Sequence, residues 1–100
     1  MVWFEWDEAK AEMNERKHGV LFDDAVLVFA DPYALTEQDR IEGGELRWQT
    51  IGLARGVVLL HVAHTIVEEG ADEIIRIISA RKAVRRECKR HDENREESSF

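Results

Sequence analysis

One hundred residues with a single cysteine, Cys88, and a net charge of −7 point to one soluble domain without an internal disulfide or a multi-cysteine zinc site. The acidic start (Glu5, Asp7, Glu8) is unlike a secretory leader, and no apolar run nears the ~20 residues of a membrane span, so a cytoplasmic chain is expected. Charge is uneven: residues 1–45 hold 12 acids and 4 bases (−8), residues 46–90 hold 5 and 9 (+4), and residues 91–100 hold 4 and 1 (−3), so a basic centre able to meet phosphate lies between acidic ends that repel it.

Val2-Trp3-Phe4-Glu5-Trp6 is aromatic and β-branched, which predicts a short first strand. Asp7 suits a helix N-cap, so residues 8–17 are expected to be helical, with Ala9, Met13 and Ala11 inward and Gly19 as the stop. Glu8 at the start and Arg16 and Lys17 at the end complement the dipole. Phe22, Ala25, Val26 and Phe29 recur at helical spacing and predict a second short helix ending before Asp31-Pro32. Strands are expected over residues 34–39, 46–53, 57–67 and 73–79, separated by Glu42-Gly43-Gly44-Glu45, by Ala54-Arg55-Gly56 and by a turn over residues 68–72. A last helix is expected from Ser79 or Ala80 to about Arg90.

The order β-α-α-β-β-β-β-α, with short turns between strands, gives an α+β class: a small antiparallel β-sheet flanked by helices. Residues 57–67 are apolar in both phases, as in a central strand covered on both sides. Residues 1–91 form the domain, and residues 92–100 are expected to be a flexible acidic tail.

Ile77-Ile78-Ser79-Ala80-Arg81-Lys82-Ala83 sets an apolar strand against a basic stretch. Arg76, flanked by isoleucines, must be paired or reach an open surface. It either bridges to an acid of the first helix or grips phosphate bidentately alongside Arg81. Strict alternation puts Arg76 and Arg81 on opposite faces, so a shared grip requires the chain to swing at Ser79-Ala80. His61 and His64, three apart on a strand, also face opposite sides and cannot share a metal. His64, expected near the strand end, is either a hydrogen-bonded rim histidine or a proton carrier, for which an ordinary pKa of ~6.5 is suited. His61, in mid-strand, reads as structural. Lys17 and His18 either complement the helix dipole or point into a cleft beside the sheet. Glu87, near the packed side of the last helix, could pair with Arg76 or Lys10 or act as a base. No Gly-rich phosphate loop, GxSxG or zinc-ligand cluster occurs, which counts against an NTPase, a serine hydrolase and a zinc enzyme; no cofactor is expected.

Several motifs recur in a known order. Phe4-Glu5-Trp6-Asp7 is followed by Lys10, Asn14 and Lys17-His18-Gly19. Phe22-Asp23-Asp24-Ala25 precedes Phe29 and Asp31-Pro32, then come Arg47, Gly52 and His64-Thr65. Arg76-Ile77-Ile78-Ser79-Ala80-Arg81-Lys82-Ala83 with Glu87 closes the set. From Phe4 to about His91 this set resembles the BrnT toxin family. It departs at His91, where that family often carries a tyrosine. The resemblance implies the toxin of a type II toxin–antitoxin system, similar in fold to RelE and ParE, that arrests growth by cutting RNA. It implies a cognate BrnA-like antitoxin, DNA-binding and dimeric, with which the toxin represses its own operon. Operator DNA is then met only through the antitoxin, and no membrane is involved.

A metal-independent endoribonuclease needs a base for the ribose 2′-hydroxyl, a cation for the phosphorane and an acid for the departing 5′-oxygen. On the resemblance, His64, Arg76, Arg81 and Glu87 are the candidate catalytic residues. Arg47, Lys17 and His18 are candidate substrate contacts, and His18 is an alternative partner to Glu87 in proton transfer. A ParE-like toxin acting on a protein target, or a non-catalytic partner of a repressor, stand as alternatives.

Overall fold

The helix expected after Asp7 forms as α1 (Glu8–His18), following strand β1 (Val2–Glu5), in a computed structural model that describes residues 1–97. Asp7 accepts the Lys10 N–H at 3.1 Å, and Gly19, at φ 69°, donates to the Glu15 carbonyl. These contacts satisfy the orphan groups of the two helix ends. The inward face differs from expectation: Ala9 and Met13 are exposed, while Ala11 is half-buried and Asn14 buried. Asn14 is buried because its amide replaces a missing strand. Oδ1 accepts the Ala80 N–H at 3.0 Å and Nδ2 donates to the Ala80 carbonyl at 2.8 Å. This completes the edge of β5 (Asp72–Lys82) beyond β1, whose pairing with β5 covers only residues 73–76.

The second helical stretch splits into α2 (Phe22–Ala25) and a 3-10 helix (Val26–Ala30), which bury Phe22, Ala25 and Val28. A Cβ on Gly52 would lie 2.8 Å from both Cβ and the carbonyl oxygen of Val28. Glycine at that point lets the 3-10 helix rest directly on β3 (Glu45–Ala54).

Strands β2 (Leu35–Glu42), β3, β4 (Val58–Glu69) and β5 form an antiparallel meander. Arg55 and Gly56, at φ 56° and 70°, supply the left-handed pair that a tight hairpin turn needs between β3 and β4. β1 then joins parallel to β5, giving the order β1-β5-β4-β3-β2. The class is α+β as expected, but the sheet is mixed and not wholly antiparallel. β1 and β5 are far apart in the chain, so no hairpin dictates their relative direction. β4 is central, and Leu60, Val62, Ile75, Ile77 and Ala80 pack against Val20, Phe22, Ala25 and Val28 on one side of the sheet.

The C-terminal third corrects two expectations. Ser79, Ala80, Arg81 and Lys82 do not open a helix: they pair with Ala63, Val62, His61 and Leu60 as strand. Ladder pairing on one edge and the Asn14 amide on the other outweigh local helix preference. Helix α3 instead runs from Arg85 to Glu97. Its start is fixed by Glu87, whose carboxylate reaches back to accept the Val84 N–H at 2.9 Å, as the acidic arm of a capping box does. Much of the segment expected as a flexible tail over 92–100 is therefore helical, and residues 98–100 lie outside the described residues. Among the described residues no helix is long and apolar enough to cross a membrane.

Candidate active site

β5 carries one extra residue. Ser79 pairs with Ala63 but Ile77 pairs with His64, which leaves Ile78 unmatched. Such a bulge inverts the alternation of everything beyond it. Arg76 lies opposite Thr65 and Arg81 opposite His61. Thr65 and His61 share a face of the regular strand β4, so Arg76 and Arg81 stand on the same side of the sheet. Gln49, opposite Ala63, and Arg47, two residues before it, stand there too. The other side is covered by α2, the 3-10 helix and the core.

At one end of this face α3 meets the sheet. Arg81 donates through Nη1 and Nη2 to the two carboxylate oxygens of Glu87, at 2.9 and 3.0 Å. His61 Nε2 stands 3.9 Å from the same carboxylate and 2.9 Å from Gln49 Oε1. Gln49 Nε2 lies 3.5 Å from Glu37, and Glu37 accepts from Arg90 of α3. Because a carboxylate only accepts, the amide nitrogen of Gln49 faces Glu37 and its oxygen faces His61. The His61 proton therefore sits on Nε2, and Nδ1 keeps the lone pair that can take a proton.

The electrostatics divide the roles. The Arg81 hydrogen bonds, helped by the Val84 N–H, hold Glu87 down to about 2 against the opposing effect of burial. Glu87 is thus a fixed carboxylate, not a proton donor near neutral pH. Burial, with the charge of Arg81, lowers His61, and Glu87 offsets only part of this. His61 is therefore chiefly the neutral imidazole near pH 7, the form able to accept a proton.

A second cationic spot lies along the same face. Arg76 donates to Glu45 at 2.5 Å, not to an acid of the first helix, and Arg47 Nη2 stands 3.8 Å from the same carboxylate. Arg47 Nε is buried with no partner among the described residues. Thr65 and His61 are four residues apart, or about 13 Å at ~3.3 Å per residue. Arg76 and Arg81 are tied to different carboxylates across that span, so they do not form one clamp.

His64 stands on the other, core side of the sheet, which corrects its expected position at a rim. β4 continues to Glu69, so position 64 is interior, and His64 is 0 % exposed. It packs edge-on to Phe29 at 4.9 Å and shares a 2.7 Å hydrogen bond with Thr50, which meets Thr36 at 2.8 Å. Burial pushes its pKa down to about 4, so it is a neutral core residue. Lys17 and His18 line a groove between α1 and β5, and among the described residues no hydrogen bond or ion pair joins them to either cluster. His61, Gln49 and Glu37 were not singled out in the sequence for chemistry. Their signal is register: His61 faces Arg81 only once the bulge is known. Among the described residues no group of three or more His, Cys, Asp or Glu side chains could hold a metal ion.

A family model described as the ribonuclease toxin BrnT, of a type II toxin–antitoxin system, matches residues 6–87. Among solved structures, the crystal structure of the Brucella abortus ribonuclease toxin BrnT is similar with a TM-score of 0.58 at 23% identity, covering 85% of this chain and 100% of that one. Likeness at that identity supports the fold. Among curated proteins no sequence matches the chain.

Proposed function

The chain belongs to the BrnT family of type II toxin–antitoxin ribonuclease toxins, and we propose that it is a metal-independent endoribonuclease working at the Arg81–His61 end of the open sheet face. The observation that carries this reading is the bulge at Ile78, which sets Arg76 and Arg81 on one face with His61. His61 Nδ1 takes the proton of a ribose 2′-hydroxyl. The 2′-oxygen then bonds to phosphorus, and the bond from phosphorus to the 5′-oxygen breaks. Products are a 2′,3′-cyclic phosphate and, after protonation by water or by His18, a 5′-hydroxyl. Arg81 stabilises the charge on the phosphorane oxygens. Glu87, held ionised, positions Arg81 and exchanges no proton. Arg47 and Arg76 each hold a phosphate of a neighbouring nucleotide.

A type II system pairs its toxin with a protein antitoxin. For this chain we infer a BrnA-like, DNA-binding dimer that neutralises the toxin in the cytoplasm and represses the operon jointly with it.

Purified chain incubated with RNA in EDTA tests the activity. Wild type should cut, and His61→Ala and Arg81→Ala should each lose about 100-fold or more while melting cooperatively. Undiminished cleavage by both variants would sink the site assignment. An intact RNA pool together with inhibition of a topoisomerase would favour the ParE-like alternative.

A further inference from the structure

The catalytic face does not end at β5. Ser79, on that face beside Ala63, also lines a groove of about 480 Å³ formed with α1. The volume falls within the range of about 300–1,000 Å³ typical of small-ligand sites. Its floor is apolar: Met13, 62 % exposed on a helix that buries Asn14 instead, lies across from the bulged Ile78. Its rim is cationic. Lys10, Arg16 and Lys17 border the groove together with His18, and among the described residues no carboxylate lines it, although the chain carries a net charge of −7.

An exposed methionine and a half-buried isoleucine under three cations suit a ligand with a flat apolar body and a negative backbone. We propose that this groove is the nucleobase subsite for single-stranded RNA crossing the catalytic face, a proposal that rests on the ribonuclease reading above. The base of a nucleotide flanking the cut lies on Met13 and Ile78 and stacks on His18. Lys10 and Lys17 meet the adjoining phosphates, which fits the sequence-tolerant way single strands are bound by stacking surfaces in basic grooves. The bulge thus acts twice: it turns Arg81 onto the face and opens β5 for a base.

Met1 and Met13 are the two methionines of the chain, so methyl-labelled methionine gives a reporter inside the groove. The probe is a short 2′-O-methyl oligonucleotide, which lacks the attacking hydroxyl. Its addition should shift the Met13 methyl signal and leave that of Met1 in place. Lys17→Glu should weaken binding several-fold, and an oligonucleotide abasic at the flanking positions should bind about fivefold or more weakly. If the oligonucleotide binds through Arg81 while Met13 stays unmoved, the groove proposal falls and the ribonuclease reading survives. Equal affinity of the abasic strand would overturn the base subsite. A Met13 shift with polyglutamate but not with the oligonucleotide would overturn it in favour of an acidic protein ligand. No oligonucleotide binding at all would remove both.

Discussion

His64 and Glu87 are both held far from their ordinary protonation ranges, for opposite reasons. His64 is driven neutral by burial, and Glu87 is kept charged by a guanidinium. Each makes stability depend on pH. The folded pKa of His64, about 4, lies below its ordinary 6.5, so the unfolded chain takes the proton first. Its contribution is complete above about pH 6.5 and is lost as pH falls towards 4, a swing of about 3 kcal/mol. Glu87, about 2 against an ordinary 4.5, contributes above 4.5 and is lost as pH falls towards 2. Denaturant titrations over this pH range should therefore show two acid limbs. His64→Gln should flatten the upper limb and Glu87→Gln the lower; an unchanged upper limb in His64→Gln would contradict the assignment. Of the residues singled out in the sequence, Arg47, Arg76, Arg81 and Glu87 gather on the open side of the sheet and His64 does not. Composition and spacing do not say which phase of a strand faces the core.

Helix α3 is attached to the sheet in an unusual way. Arg85–Glu97 contains no aliphatic residue and no Phe, Tyr or Trp, and its buried members are Glu87 and His91. Its hold is polar: Arg81 on Glu87, Arg90 on Glu37, the 2.6 Å His91–Asp31 pair, and Asn94 donating to the Tyr33 carbonyl at 2.9 Å. Burial alone would raise Asp31, yet the Tyr33 and Leu53 N–H groups and His91 keep it below the usual carboxylate range. Contacts of this kind are weakened by added salt at their exposed members, whereas apolar packing is not. Amide exchange in α3 should speed up between low salt and about 0.5 M NaCl while β4 and β5 stay protected. Equal protection of helix and strands at both salts would contradict polar docking.

The bulge supplies a second test at the scale of elements. Deleting Ile78 restores regular pairing but leaves Arg76 and Arg81 four residues apart and still on one face, whereas inserting one residue between Ala63 and His64 gives Ile78 a partner and sets the two arginines on opposite faces. The insertion variant should lose RNA cleavage, whereas Ile78→Val, which keeps the count, should retain it. Caps and turns were legible in the sequence because Asp7, Gly19 and Gly56 act locally. The bulge and the long β5 were not, since both depend on β4 on one edge and Asn14 on the other.

Over the whole molecule, the proposed function requires a chain of net charge −7 to meet RNA through a few cations on one face. Arg47, Arg76 and Arg81, on one phosphate each, would contribute about −2 to the log–log salt slope on single-stranded RNA. Arg76→Ala should reduce that slope by about 0.7, and a slope near zero would argue against phosphate contact by these residues. The α+β class was legible from periodicity and turn chemistry. The parallel docking of β1 was not, because nothing local to residues 2–5 names β5 as its neighbour. The most direct measurement is end-group analysis of RNA cut by the purified chain in EDTA. The cut RNA should carry 5′-hydroxyl and 2′,3′-cyclic phosphate ends, and these should disappear in Arg81→Ala. Ends bearing 5′-phosphate and 3′-hydroxyl, or cutting that stops in EDTA and resumes on adding a divalent metal, would contradict it.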